Sequence, residues 1–447
     1  MTVVVDRHRL VRPAAATANP AAAVAAPSVA QGVWAYRLAL LALLAYLALG
    51  APALTTLGIP YSLPYGSYIY KFHPGSYLMA AALLLSLLAD GNPLAVLLQR
   101  LRAMPLLAAY LAGVALACAY SLARHGASGA AFYIDALVMP AVAILVLCRF
   151  DRAQLRAALR LVFAMLLLNA LIALGEAALG RTLIPLNIGG KLITFEGNFR
   201  ATALLGHPLE NGLITSVMLL AMLDLPLPAF GKAAAAGLFL LALLAFGGRT
   251  SVLLCSLALL LYGGRRALAG LRQGRHGYLV IVGAAAATIF VLPAAAVLLW
   301  ESGLGDRVFE GLYLDNSASV RLRIYRVFDF ITPGDLLFGL SPEQVVAVSA
   351  RIGLDPTFEA IENFWLLMLL QLGLPIFVAF ACGLLSGLYL LWRRSGPGGR
   401  WAVLVFLATA STTNSLASKT AALTMLFSIV FCTAALTRQG ALSGKPR

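Results

Sequence analysis

The sequence predicts an all-α polytopic integral membrane protein with about twelve transmembrane helices and one large charged loop outside the membrane. Three observations carry that reading. Of 447 residues, 61% are hydrophobic and only 11% charged, and the apolar residues come in repeated runs long enough to match the hydrocarbon core of a bilayer. The basic residues sort to one side of these runs. The stretch 301–361 contains no apolar run of spanning length, yet it holds fourteen charged residues between two long apolar segments.

Residues 1–33 carry Arg7, Arg9 and Arg12, then an Ala-rich stretch broken by Pro13, Pro20 and Pro27. That is too interrupted for a signal-peptide core, so the segment reads as a disordered cytoplasmic tail. Spans are expected near 34–52, 75–90, 105–122, 130–148, 157–178, 204–223, 231–247, 249–263 and 278–300, with a smaller outer loop at 179–203. After the large loop, 362–437 holds three more, near 364–391, 401–416 and 420–437, and 438–447 is a second cytoplasmic tail.

Residues 233–263 also read as one long helix, and the basic residues decide between one span and two. Two spans put Arg265, Arg266, Arg272 and Arg275 on the side of the N-terminal arginines. That side then holds 21 of the 33 Lys and Arg and 4 of the 18 acids, a net +17, leaving 12 basic and 14 acidic residues, a net −2, on the other. The positive-inside rule makes the first side cytoplasmic, both termini included, and the +15 of the whole chain a matter of topology rather than nucleic-acid binding.

The two large outer segments are then 179–203 and 301–361. In the second, Val320, Ile324, Val327, Phe328 and Ile331 recur at helical spacing, predicting an amphipathic helix over 318–331 on the membrane surface. Ser341-Pro342-Glu343-Gln344 predicts another helix, with Ser341 as cap, Pro342 at the first position and Gln344 closing a capping box. These signals predict an ordered lid.

Candidate chemistry gathers at the outer face. Arg200 lies just before the sixth span, followed by Gly206-His207-Pro208. Arg249 opens a run whose expected fifteen residues would rise about 22 Å, implying local thinning or burial of the guanidinium. Glu362 stands at a helix start, where backbone N–H groups and the dipole favour a carboxylate. The arginines can snorkel to headgroups or pair with Glu196, Glu210 or Glu362; alternatively Arg200, Arg249 and Arg321 converge on a phosphate, to which forked donors are suited. Cys118, Cys148, Cys255, Cys382 and Cys432 lie in or beside apolar runs without disulfide or metal spacing. The sequence has no nucleotide-binding glycine loop and no Ser-His-Asp order.

Over roughly residues 200–375 the chain resembles the bacterial O-antigen ligase and Wzy-type polysaccharide polymerase superfamily, including the exopolysaccharide branch related to VpsF. Arg200 with Gly206-His207-Pro208 looks like its outer-loop Arg followed by Gly and His-Pro, and Gly248-Arg249-Thr250-Ser251 looks like its Ser-Arg-small motif. Arg321-Leu322-Arg323-Ile324-Tyr325 with Leu337-Phe338-Gly339-Leu340 resembles its loop pattern. Glu362-Asn363-Phe364-Trp365-Leu366 with Gly373 stands where ligases carry a His-Asn-aromatic-Leu motif, so Glu362 replaces the ligase histidine.

The resemblance implies a GT-C-like, inverting, metal-independent glycosyltransferase of the inner membrane with no cofactor. Its donor would be a glycan on undecaprenyl pyrophosphate at the periplasmic face, and its acceptor a second glycan. Arg200, Arg249 and Arg321 would bind the pyrophosphate, and Glu362 would act as base with His207 in reserve. Asn363, Glu210, Arg323 and Tyr325 would support them. Membrane lipids, a chain-length regulator and other polysaccharide assembly proteins are the implied partners, and nucleic acid is not among them. The alternatives are an O-antigen ligase transferring glycan to lipid A-core and a transporter of lipid-linked glycan. A transporter is expected to have internal repeats and polar residues deep in several helices.

Overall fold

A computed structural model describes residues 29–63, 66–126, 130–185, 187–188, 191–192, 199–274, 323–354, 361, 363–413 and 415–442. Among these residues the regular elements are helices and turns of helix, apart from a two-residue antiparallel ladder of Asn187–Ile188 on Lys191–Leu192. The N-terminal half comprises α1 (Val29–Ala48), α2 (Ala51–Thr56), α3 (Pro74–Ala89), α4 (Pro93–Ala103), α5 (Pro105–His125), a π-helical turn (Tyr133–Val138) running into α6 (Met139–Leu147), and α7 (Arg152–Leu179). Then follow α8 (Pro208–Ala221), α9 (Ala229–Ala245), α10 (Arg249–Arg272), α11 (Pro333–Phe338), α12 (Pro342–Arg351), α13 (Phe364–Leu372), α14 (Leu374–Arg394), α15 (Pro397–Ser411) and α16 (Ala422–Leu442).

Local chemistry sets the ends. Asp151 and Gln154 form a capping box at the start of α7, and Gly180 closes it at φ 62°. Asn92 caps α4 through the N–H groups of Leu94 and Ala95, with Pro93 in the first turn. The break expected near Gly247-Gly248 is present, with Gly247 at φ 65° between α9 and α10.

Five of the described helices, α1, α5, α7, α10 and α14, are long and apolar enough to cross a membrane. A sixth span results if α3 and α4, bent by 101° at Asn92-Pro93, count together. The segment 91–104, which lies between the spans expected at 75–90 and 105–122, is itself helical from Pro93 to Ala103, with Asn92 as its cap. The expected span 364–391 is interrupted, at Gly373. Apolar runs record burial, whereas a helix needs about twenty residues without a break to cross. The span expected at 278–300 lies outside the described residues.

Two further expectations are corrected. Helix α10 continues through the expected cytoplasmic stretch to Arg272, giving 24 residues. At 1.5 Å per residue that is about 36 Å, long enough to cross a bilayer core and to continue beyond it. In the large loop, α12 has the anticipated cap: Ser341 Oγ accepts from Gln344 N at 3.2 Å, and Ser341 N donates to Gln344 Oε1 at 2.8 Å. The amphipathic helix over 318–331 is reduced to a 3₁₀ turn at Ile324–Asp329 among the described residues; 318–322 lie outside them. Ile324 and Val327 are still the buried pair, packed with Val345, Val348 and Ile352 against Leu366 and Leu370 of α13. This satellite core orders the described part of the loop.

Contacts sort the connections into two ends. At one, Asp90 receives Arg100 at 2.8 Å and Arg149 at 2.7 Å, and Asp224 accepts the N–H groups of Gly398 and Gly399 at 2.9 and 2.8 Å. At the other lie the 200–207 loop, the starts of α8 and α10, and the ends of α13 and α15. Between them α5 crosses α14 closely, since a Cβ on Gly113 would stand 3.0 Å from Gly383 Cα.

Candidate functional site

The loop before α8 is held by buried polar side chains of α7 and α8. Glu176, 4% exposed in the last turns of α7, accepts Thr202 N at 2.8 Å and Ala203 N at 2.9 Å on Oε2, and Leu183 N on Oε1. Asn169 Oδ1 accepts Leu204 N at 2.9 Å, and its Nδ2 donates to Asn211 Oδ1 at 2.8 Å. Asn211 Nδ2 donates onward to the carbonyls of Thr202 at 2.6 Å and His207 at 3.1 Å. These bonds hold Ala203 at φ 41°, a left-handed conformation that costs a non-glycine residue about 1 kcal/mol or more. None of Glu176, Asn169 or Asn211 was singled out from sequence. An acid and two amides inside apolar runs were the available signal.

The loop delivers Arg200 to the helix break. Ala201 N donates to Ala245 O at 2.9 Å and Arg200 Nε to Phe246 O at 3.2 Å. One guanidinium is therefore tied three residues before Arg249, and both arginines are half-buried. A Cβ on Gly212 would lie 3.2 Å from Ser251 Oγ, so α8 and α10 begin at the same end and pack at their first turns. His207, half-buried, is the residue before α8. The structure thus brings Arg200, His207 and Arg249 to one end of the bundle.

Glu210 faces elsewhere. Its Oε1 accepts Thr420 Oγ1 at 2.5 Å and Ala421 N at 2.9 Å, capping the start of α16. Two residues along a helix turn the side chain by about 200°, so Glu210 points away from the Gly212–Ser251 face. The expected partnership between Glu210 and the arginines is replaced by this cap.

The third group surrounds the start of α13. Asn363 Oδ1 caps the helix through Leu366 N at 3.1 Å, and its Nδ2 donates to Tyr325 OH at 3.3 Å. Arg323 Nη1 donates to Gly353 O at 2.9 Å, so this supporting residue fastens the loop to itself. Trp365 Nε1 donates to Ser411 Oγ at 2.7 Å, and Phe364 N to Thr413 O at 3.2 Å, joining α13 to the end of α15. Gly339 at φ 75° and Gly373 at φ 70° meet backbone to backbone: a Cβ on either would stand within 2.8 Å of the other's nitrogen. Arg321 and Glu362 lie outside the described residues.

A separate polar cavity, lined by Tyr46, Tyr61, His73, Asp135, Glu210 and Lys419, lies on the Glu210 side of α8. His73 Nδ1 accepts Gly75 N at 3.0 Å and its Nε2 donates to Leu49 O at 2.7 Å, a neutral tautomer with both nitrogens committed. Burial pushes the His73 pKa down to about 4. Burial also lowers that of Lys419, which Asp135 partly offsets. Among the described residues no group of three or more His, Cys, Asp or Glu is placed to hold a metal, and all five cysteines are free. No protein-family model matches the chain, and neither does any curated protein.

Proposed function

We propose that the chain is a polysaccharide polymerase, an inverting glycosyltransferase that moves glycan from undecaprenyl pyrophosphate to an acceptor glycan at the periplasmic face of the inner membrane. The observation that supports this best is the Arg200 Nε bond to Phe246 O, which holds one forked donor beside the turn from which Arg249 emerges. Two guanidiniums at one helix start are suited to a diphosphate, where charge builds as the glycosidic bond breaks. The acceptor hydroxyl oxygen forms the new bond to the anomeric carbon. The carbon–oxygen bond to pyrophosphate breaks with its electron pair leaving on the diphosphate, and Glu362 takes the hydroxyl proton. Arg321 would be the third phosphate contact and His207 the reserve base.

A twelve-span topology with cytoplasmic termini fits this reading. The Asp90 ion pairs and the Asp224 cap join four of the basic connections at one end, opposite Arg200 and Arg249.

The test is turnover per folded molecule, using purified protein and a synthetic lipid-linked repeat. Arg200→Lys and Arg249→Lys keep the charge but lose the fork, so turnover is expected to fall sharply at unchanged membrane expression. Glu362→Gln should lower it by roughly 10²–10⁴-fold while donor still binds. Full turnover in both lysine variants refutes the phosphate assignment. In a deletion strain, single repeat units left on lipid indicate a polymerase, and long chains left on the carrier indicate the ligase.

One observation favours transport as a second reading: the acids Asp135, Glu176 and Glu210 are buried within the bundle. Flux of lipid-linked glycan across proteoliposomes without elongation would establish it.

A further inference from the structure

The cavity behind α8 plays no part in the proposed transfer, yet its walls hold an incomplete charge balance. It has room for about one water-sized body. Asp135, in the π-helical turn and 2% exposed, spends Oδ2 on two donors, Tyr61 OH at 3.0 Å and His73 N at 2.9 Å. Its other oxygen, Oδ1, is buried with no hydrogen-bond partner. Such an acceptor beside a cavity is costly unless something occupies the space next to it.

The charged neighbours do not complete it. Glu210, 8% exposed, adds a second carboxylate. Lys419 supplies one ammonium, which donates to the carbonyls of Tyr61 at 3.0 Å and Lys71 at 3.1 Å and lies 4.9 Å from the Tyr61 ring centroid. The His73 imidazole is neutral by its bonding. Tyr46 OH pairs with Ser76 Oγ at 2.9 Å; the Ser76 hydroxyl is also a hydrogen-bonding neighbour of the Asp135 carboxylate, yet no donor reaches Oδ1 in hydrogen-bond geometry. Lys71, outside the lining, donates to the carbonyls of Pro60 and Leu63, and Tyr77 OH to that of Ile69. Two carboxylates therefore face one ammonium inside the lining.

We propose that this cavity binds one monovalent cation, a proton or Na⁺, at Asp135 Oδ1, bringing the Asp135, Glu210 and Lys419 set to neutrality. A bare Na⁺ needs no more room than a water molecule, and carboxylate oxygens are the hard ligands it takes. The site joins the π-helical turn to the starts of α8 and α16 through Asp135, Glu210 and Thr420, so occupancy stabilises the fold.

The test uses full-length protein in nanodiscs of zwitterionic lipid, with N-methylglucamine as the only salt cation. Thermal unfolding is followed by tryptophan fluorescence from about pH 7 to 9, above the window in which His73 titrates. NaCl then replaces the organic salt at constant ionic strength. If Na⁺ is the ion, Tm is expected to rise by roughly 2–4 °C. If the proton is the ion, Tm falls as pH rises, in either salt. Asp135→Asn keeps an oxygen for Tyr61 and His73 but removes the charge, and is expected to lose whichever response the wild type has. A wild-type Tm indifferent to both Na⁺ and pH overturns the proposal, as does a response that Asp135→Asn retains in full. Should Asp135→Asn fail to fold, Glu210→Gln replaces it with the same two outcomes. The readout is unfolding, so the result stands apart from the transferase reading.

Discussion

Glu176→Ala tests the cradle that carries Arg200. The wild-type carboxylate accepts three backbone N–H groups, and removing it leaves them without partners. Leu183 is 64% exposed, so its amide can turn to water, whereas Thr202 and Ala203 are fully buried. Two buried unpaired amides at about 1–3 kcal/mol each give a loss of roughly 2–6 kcal/mol. The bonds also hold Ala203 at φ 41°, so part of the loss is expected to appear as relaxation of that backbone. Glu176→Gln retains one acceptor oxygen and should fall between wild type and Ala. Chemical denaturation in detergent gives the stability, and hydrogen exchange at Thr202 and Ala203 gives the local effect. A change below about 0.5 kcal/mol with unaltered exchange would refute the reasoning, because exposed substitutions already produce shifts that small.

Three further outcomes are expected. The folded pKa of His73, about 4, lies below its ordinary 6.5, so its contribution is complete above pH 6.5 and is lost as pH falls through about 4. The loss is about 3 kcal/mol at most, and His73→Gln, which keeps an acceptor and a donor, should flatten acid unfolding over that window. Gly50→Ala would drive a Cβ into the Leu205 carbonyl, so a loss of roughly 2 kcal/mol or more is expected in the same denaturation assay. A topology reporter fused near Asn316 should read periplasm, with fusions at Gly270 and Gly396 reading cytoplasm. A cytoplasmic signal at Asn316 would remove the basis of the outer-face site.

The helical class, the break at Gly247-Gly248 and the α12 capping box were legible because each has a local cause: apolar composition, a glycine pair, and Ser and Gln at fixed spacing. The break at Gly373 was not, because an apolar run continues across it and the interruption depends on the Gly339 backbone contact; between α3 and α4 the polar Asp90-Gly91-Asn92-Pro93 marks the end of the expected span, but not that Asn92 starts a further helix there. For Glu210, sequence predicts a partner or support of the arginines, whereas the structure turns it to Thr420 and Ala421. Which face of α8 it occupies follows from the packing of Gly212 on Ser251 and of Thr420 on the other side. Asp135 carries no such local signal, because one acid in an apolar run gives no hint that Tyr61 and His73, more than sixty residues earlier, will meet it.

The two faces of α8 are joined by backbone as well as by the helix itself. Gly50 borders the cavity and abuts Leu205, and Gly206 abuts Pro52 on α2, so the cavity wall presses on the loop that begins at Arg200. Asn211 ties the same loop to α8 one residue after Glu210. A substitution at Glu210 can therefore reach Arg200 through some ten residues of chain without any direct contact. For that reason a loss of the proposed glycan transfer in a Glu210 variant is not by itself evidence that Glu210 meets substrate. Activity per folded molecule has to be read together with stability, since displacement of the loop lowers both, and removal of a group that contacts the proposed diphosphate lowers activity alone.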